Sequence, residues 1–314
     1  MSTTTPPPQR NAGLDTLATE GVRPGLDDLD QRPTTDLVQT IIEAQAAAQQ
    51  AALAAVPSLT AAVDAIAARL EQGGRLFYAG AGTSGRLAIL DASECPPTFN
   101  TPPEMVVALI AGGAEAVQNA VEGAEDDASA GAAALEAHDL TPNDAVVGIT
   151  ASGRTPFAVG AVRHAREKGC YTAAIVNNAD SELSAVAEDT IELPTGPEVV
   201  SGSTRLCAGT AQKIALNTLS TAVMVRLGKT YGSYMVDVRT SNEKLRRRAQ
   251  RMLGQITGAD DAACADALAA TGDQVKPAVV MLLGHCDAAE ATRRLDAAKG
   301  HVRAALTNSG VKQP

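Results

Sequence analysis

The chain has 314 residues, 45% of them apolar, 20% charged and only 2% aromatic, with a formal net charge of −10. Such an acidic, aromatic-poor composition excludes a basic nucleic-acid footprint and a base-stacking platform, and the core must be built from Ala, Val, Leu and Ile. No apolar run approaches the ~20 residues of a membrane span, so no membrane partner is expected.

Residues 1–12, rich in Pro and Thr, read as a disordered tail. With no apolar h-region they are not a signal peptide, and a cytoplasmic location is expected. The five Cys are scattered with no CxxC pair, as suits reduced thiols. A long Ala- and Gln-rich helical stretch then runs from about Thr34 to Leu70, with Pro57 expected to split it into two helices.

The texture changes at Arg75–Gly80, a short apolar run entering a Gly-rich turn. Met105–Ala111, Ala145–Thr150, Tyr171–Val176 and Thr190–Leu193 repeat that pattern, each stopped by Gly, Ser, Asn or Pro. Helical patterns lie between them at Arg86–Ala92, Glu115–Ala137, Pro156–Lys168 and Glu182–Ala187. Strands of this length alternating with helices predict an α/β fold, a parallel sheet covered on both faces with right-handed crossovers. Helices resume at Cys207–Leu227 and Asn242–Leu253, and the tail from Gly258 reads as a three-helix unit. The one dense basic run, Lys244–Arg248, reads as a solvated helix face.

Two strands end in similar turns, Gly82-Thr83-Ser84-Gly85-Arg86 and Ala151-Ser152-Gly153-Arg154-Thr155. Small residues and hydroxyls at a strand's C-terminal end, just before a helix, suit an anion, because the helix start offers free N–H donors and partial positive charge. One such turn reads equally well as a capped helix; two matching turns favour a phosphate. Gly82, Thr83, Ser84, Ser152, Gly153 and Thr155 are therefore candidate phosphate-binding residues. A third hydroxyl-rich element, Ser201-Gly202-Ser203-Thr204-Arg205, adds Ser203, Thr204 and Arg205. Neither turn is a Walker A loop, and the Gly80-x-Gly82-x-x-Gly85 spacing is too weak to name a dinucleotide. None of the four His has a partner at metal-ligand spacing, and no Ser-His-Asp elbow is present, so no metal or other cofactor is expected. What remains is carboxylate acid/base chemistry on a phosphorylated sugar. Its candidates are Asp91-Ala92-Ser93-Glu94-Cys95-Pro96-Pro97, where the prolines are expected to end a helix, and Glu122-Gly123-Ala124-Glu125-Asp126-Asp127, where Gly123 in a helical pattern suggests close approach to a ligand.

Taken together, Gly80–Arg86, Asp91–Phe99, Ile110–Gly113, Glu122–Asp126, Thr150–Pro156, Ser201–Lys213 and Met235–Leu245 resemble the N-acetylmuramic acid 6-phosphate etherases, over about Leu17 to Leu306. The resemblance implies a three-layer αβα sugar isomerase (SIS) domain of flavodoxin-like order at residues 62–225. It also implies an N-terminal helical segment (13–61), a helical connector (226–257) and a small C-terminal helical domain (258–314). It implies cleavage of the D-lactyl ether, with Glu94 and Glu125 as the catalytic carboxylates, and a homodimer with its sites at the interface. A continuous helix from Ser84 to Glu94 would span ~15 Å, longer than a hexose phosphate, so either the chain folds back or Glu94 serves a pocket shared with a second subunit. Cys207 and Gly21-Val22-Arg23-Pro24 depart from the family pattern, which has Lys at the first position and Arg-Asn-Pro at the second. A sugar-phosphate sensor or an aldose–ketose isomerase are the alternatives. A sensor need not keep Glu94, and DASECPP is not an isomerase signature.

Overall fold

The structure, a computed structural model, describes residues 17–238 and 243–307. The expected tail at 1–12 lies outside the described residues. By Cα proximity the chain forms two compact units. The first comprises the chain through Ala62, Phe77–Ala88 and Ala108–Leu216; the second comprises Val63–Leu76, Ile89–Val107 and the chain from Asn217 onward.

Three helices open the described chain: α1 (Thr34–Ala44), α2 (Ala46–Ala54) and α3 (Val56–Leu70). Two were expected. Pro57 does not end a helix but sits in the first turn of α3, where its missing N–H costs nothing because that position has no helical acceptor. The sheet follows: β1 (Leu76–Gly80), α4 (Gly82–Phe99), β2 (Val106–Ile110), α5 (Ala128–Glu136), β3 (Ala145–Thr150), α6 (Pro156–Glu167), β4 (Tyr171–Val176), α7 (Glu182–Val186) and β5 (Asp189–Glu192). Its order is β2-β1-β3-β4-β5, and the five strands form a parallel sheet flanked by helices. Ala145 stands opposite Tyr171 in the β3–β4 ladder, and Ala173 opposite Asp189 in the β4–β5 ladder. Every residue of β1, β3 and β4 is buried, the mark of central strands covered on both faces. The order reverses between β1 and β3, so the turns after these two strands flank the switch point where open α/β sheets bind ligands.

Two expected helices take a different form. Helix α4 runs to Phe99 with Pro96 and Pro97 inside it. The prolines fall in its last turn, where only the carbonyls of Ala92 and Ser93 lose a helical partner, and Asn100 then closes it in the left-handed conformation (φ 51°). The expected helix over Glu115–Ala137 is instead two 3₁₀ turns, Gly113–Val117 and Ala124–Asp126, followed by α5. Gly123 (φ 71°) breaks the pattern, and Asp127 caps α5 by accepting from Ala130 N at 3.0 Å.

The chain continues with α8 (Cys207–Arg226), a hairpin of β6 (Thr230–Tyr231) and β7 (Tyr234–Met235), and α9 (Glu243–Thr257). The described tail holds four helices rather than three: α10 (Asp261–Ala270), α11 (Val275–Leu283), α12 (Ala288–Ala297) and α13 (Val302–Thr307). The turn at Lys299-Gly300, with both residues at positive φ, supplies the extra break. Leu253, Cys264, Leu268, Val279, Leu295 and Leu306 lie in the shared core of α9 to α13. Lys229 and Lys276 both place Nζ 2.9 Å from Asp237 Oδ2, which ties the hairpin region to α11.

Candidate active site

The turn after β1 leads directly into α4. Ser84, in the first turn of α4, is buried, and its Oγ lies 2.8 Å from Gln212 Oε1 on α8. Gln212 Nε2 is 2.9 Å from Asn177 Oδ1, and Asn177 Nδ2 is 2.8 Å from the Leu193 carbonyl. Asn177 N also donates to the Ala151 carbonyl, at 3.1 Å. The Ser84 turn and the Ser152 turn are thereby linked through two buried amides.

The second turn is held by its own hydroxyls. Thr150 Oγ1 lies 2.7 Å from Thr155 Oγ1 and 3.2 Å from Ser152 Oγ, and Arg154 N donates to Ser152 Oγ at 3.2 Å. Gly153 (φ 73°) leaves no room for a side chain, since a Cβ would stand 2.2 Å from Ser181 Cβ. Its carbonyl accepts from Leu183 N at 2.9 Å. Thr155 precedes Pro156 at the start of α6 without capping it.

The third element is built differently. Ser203 and Thr204 are half-buried and Arg205 is exposed. The helix start behind them is not open to an anion, because Glu198 occupies it: Oε2 accepts from Cys207 N and Oε1 from Ala208 N, both at 2.9 Å. The third loop meets the first turn at Gly209, where a Cβ would lie 3.3 Å from Thr83 Cγ2 and 3.4 Å from the Thr204 carbonyl. Cys207 is buried, and its thiol donates to the Ala44 carbonyl at 3.3 Å. Burial pushes that thiol up, the Glu198 charge adds to the effect, and Arg23 opposes it.

A cleft of about 250 Å³ opens beside the first turn. Gly82 and Arg86 form one wall, and Glu122, Gly123 and Glu125 the other. Arg86 donates from Nε to the Val117 carbonyl (3.0 Å) and from Nη2 to the Asn119 carbonyl (2.8 Å), so it fastens the segment that leads to Glu125. Gly123 is there for its backbone conformation, as a Cβ would meet nothing within 4 Å. Glu125 is exposed within this wall.

Glu94 is exposed on α4, in the segment assigned to the second unit. One turn before it, Asp91 is buried and accepts from Asn217 Nδ2 (2.6 Å) and Ser220 Oγ (2.9 Å) on α8. A larger cleft of about 540 Å³ in the second unit, walled in part by Asp237, Asp273 and Lys276, contains none of the candidate catalytic or phosphate-binding residues. Among the described residues, no group of three or more His, Cys, Asp or Glu could hold a metal ion.

Sequence reasoning missed Glu198, Gln212, Asn177 and the anchoring role of Arg86. Gln212 carried a signal, as a polar residue on the Ala208-Ala211-Ala215 face of a buried helix. Glu198 carried none, because its partners lie nine and ten positions away across a loop.

Residues 58–166 match the glucokinase regulatory protein N-terminal SIS domain family, and residues 126–222 the SIS domain family. The chain is 52% identical over 306 residues to the N-acetylmuramic acid 6-phosphate etherase of Streptomyces coelicolor, covering 98% of both chains. It is 53% identical to the Streptomyces avermitilis protein of that name, over 94% of this chain and 95% of the relative. The Deinococcus radiodurans protein of the same name is 51% identical, over 93% of this chain and 96% of the relative. Identity at this level along the full length shows that the chain belongs to the N-acetylmuramic acid 6-phosphate etherase family.

Proposed function

We propose that this protein is a carbon–oxygen lyase that cleaves the D-lactyl ether of N-acetylmuramic acid 6-phosphate, releasing N-acetylglucosamine 6-phosphate and D-lactate in cell-wall sugar recycling. The observation that carries the reading is identity above 50% with relatives of that name along nearly the whole chain. The site supports it with two small-residue turns at the switch point and a cleft with a carboxylate in its wall.

The chemistry suits two carboxylates. In the open-chain sugar, C2–H is α to the C1 aldehyde and acidic enough to remove. One glutamate takes that proton, and an acid protonates the departing lactyl oxygen at C3. The C2–C3 double bond forms as the C3–O bond breaks, and water then adds at C3. Glu94 and Glu125 take these two roles, and the hydroxyls of Thr83, Ser152, Thr155, Ser203 and Thr204, with Arg205, receive the phosphate and sugar. No cofactor takes part in this reaction. The protein acts in the cytoplasm as a homodimer, which would enclose carboxylates that are exposed in the single chain.

Purified protein incubated with N-acetylmuramic acid 6-phosphate should release D-lactate, and Glu94→Gln and Glu125→Gln should each lower kcat by at least about 100-fold. Near-normal turnover in either variant removes that residue from the mechanism. Saturable sugar-phosphate binding with no lactate released by the wild type would favour a sensor.

A further inference from the structure

Glu198 is 1% exposed, yet it lies nine residues before the first residue of a helix rather than at its N-cap. Its two carboxylate oxygens accept the first two N–H groups of α8, at 2.9 Å each. A carboxylate at that position is favoured by the partial positive charge of the helix start. The segment it closes off is Val199–Leu206, which contains Ser203, Thr204 and Arg205. Residue 198 thus grips the far end of its own loop.

Within the loop, Ser203 N donates to the Val200 carbonyl at 3.0 Å and Thr204 N to the Gly202 carbonyl at 3.2 Å. Gly209 N reaches back to the Thr204 carbonyl at 3.0 Å. These are short-range bonds within a partly exposed loop, and they set its local shape rather than its place on the domain. Ser201 Oγ adds outside ties, to the Gly21 carbonyl at 3.1 Å and the Glu20 carbonyl at 3.5 Å. The bidentate grip of Glu198 fixes where the loop re-enters the fold, beside Gly209 and Thr83.

We propose that Glu198 is a positioning residue for substrate binding: it touches no ligand, but clamps the loop whose hydroxyls and Arg205 meet the sugar phosphate. This rests on the reading that Ser203, Thr204 and Arg205 contact substrate. Glu198→Gln keeps the shape but turns one acceptor into a donor facing an N–H. Glu198→Asp keeps the charge but falls one methylene short of the paired amides.

In folded Glu198→Gln, KM for N-acetylmuramic acid 6-phosphate should rise about tenfold with kcat within about twofold, the pattern of lost uniform binding. Amide hydrogen exchange should quicken about tenfold at Ser203, Thr204 and Gly209 while β3 and β4 keep their protection, a local opening rather than a global one. Glu198→Asp should behave in the same direction. Wild-type KM in both folded variants overturns the proposal, as does exchange that quickens equally throughout the sheet. Failure of both variants to fold also overturns it, since the residue would then hold the domain and not the loop. Wild-type protein that binds the sugar phosphate without releasing lactate removes the etherase reading alone, and the clamp is then tested by the rise in Kd.

Discussion

Cys95, beside Glu94 on α4, is pushed up from the ordinary thiol value of 9.0 to about 12, first by burial and then by the charges of Asp91 and Glu94. The unfolded chain therefore ionises this thiol before the folded chain does. A raised folded value means that the contribution to stability is complete below pH 9 and is lost as pH climbs from 9 toward 12. Thermal melts from pH 7 to 11 should show Tm falling above pH 9, and Cys95→Ala should flatten that fall. An equal slope in the variant would mean that other groups carry it. The residue scale was also where the sequence was least complete. The Ser84 and Ser152 turns were legible because Gly and hydroxyl residues follow apolar runs. Glu198 was not, because a contact that spans a loop leaves no periodic trace.

At the scale of elements, the strands were legible because each is an apolar run stopped by a turn residue, and β3 and β4 fall on the expected residues. The segment 113–126 was misread because its Ala and Glu content imitates a helix, whereas Gly112, Gly113 and Gly123 all take positive φ. That segment carries Glu125, and Arg86 on α4 fastens it through two backbone carbonyls. Arg86→Gln should release the fastening, with a stability loss of about 1 kcal/mol from the hydrogen bonds. With Glu125 in its proposed role, a displacement of ~1 Å would cost ~100-fold in rate, so kcat for lactate release should fall much further than Tm. A Tm loss with unchanged kcat would show that the loop finds its place without Arg86. The hairpin of β6 and β7 escaped the sequence because two-residue strands are too short to show alternation.

At the scale of the whole molecule, the alternation of strands and helices was enough to predict a parallel sheet covered on both faces, whereas the switch point beside the two turns emerges only from the strand order. The number of tail helices was not legible, because the break at Lys299-Gly300 lies among residues that also suit a helix end. The proposed homodimer is tested by the mass of the active species. Light scattering should give twice the 32.0 kDa of one chain at the concentrations where lactate is released. A monomer with full activity would end the shared-site reading.

The buried amide chain behind the first turn has a direction, and Leu193 sets it. A backbone carbonyl can only accept, so Asn177 must turn its NH₂ toward Leu193 and its oxygen toward Gln212. Gln212 must then donate to Asn177 and present its own oxygen to Ser84, which leaves the Ser84 hydroxyl no choice but to donate inward. The proton of Ser84 is thus committed to the protein, and its oxygen can take part in a further hydrogen bond only as an acceptor. The polarity of a residue in the first turn is decided at the far edge of the sheet, by a carbonyl oxygen beyond β5.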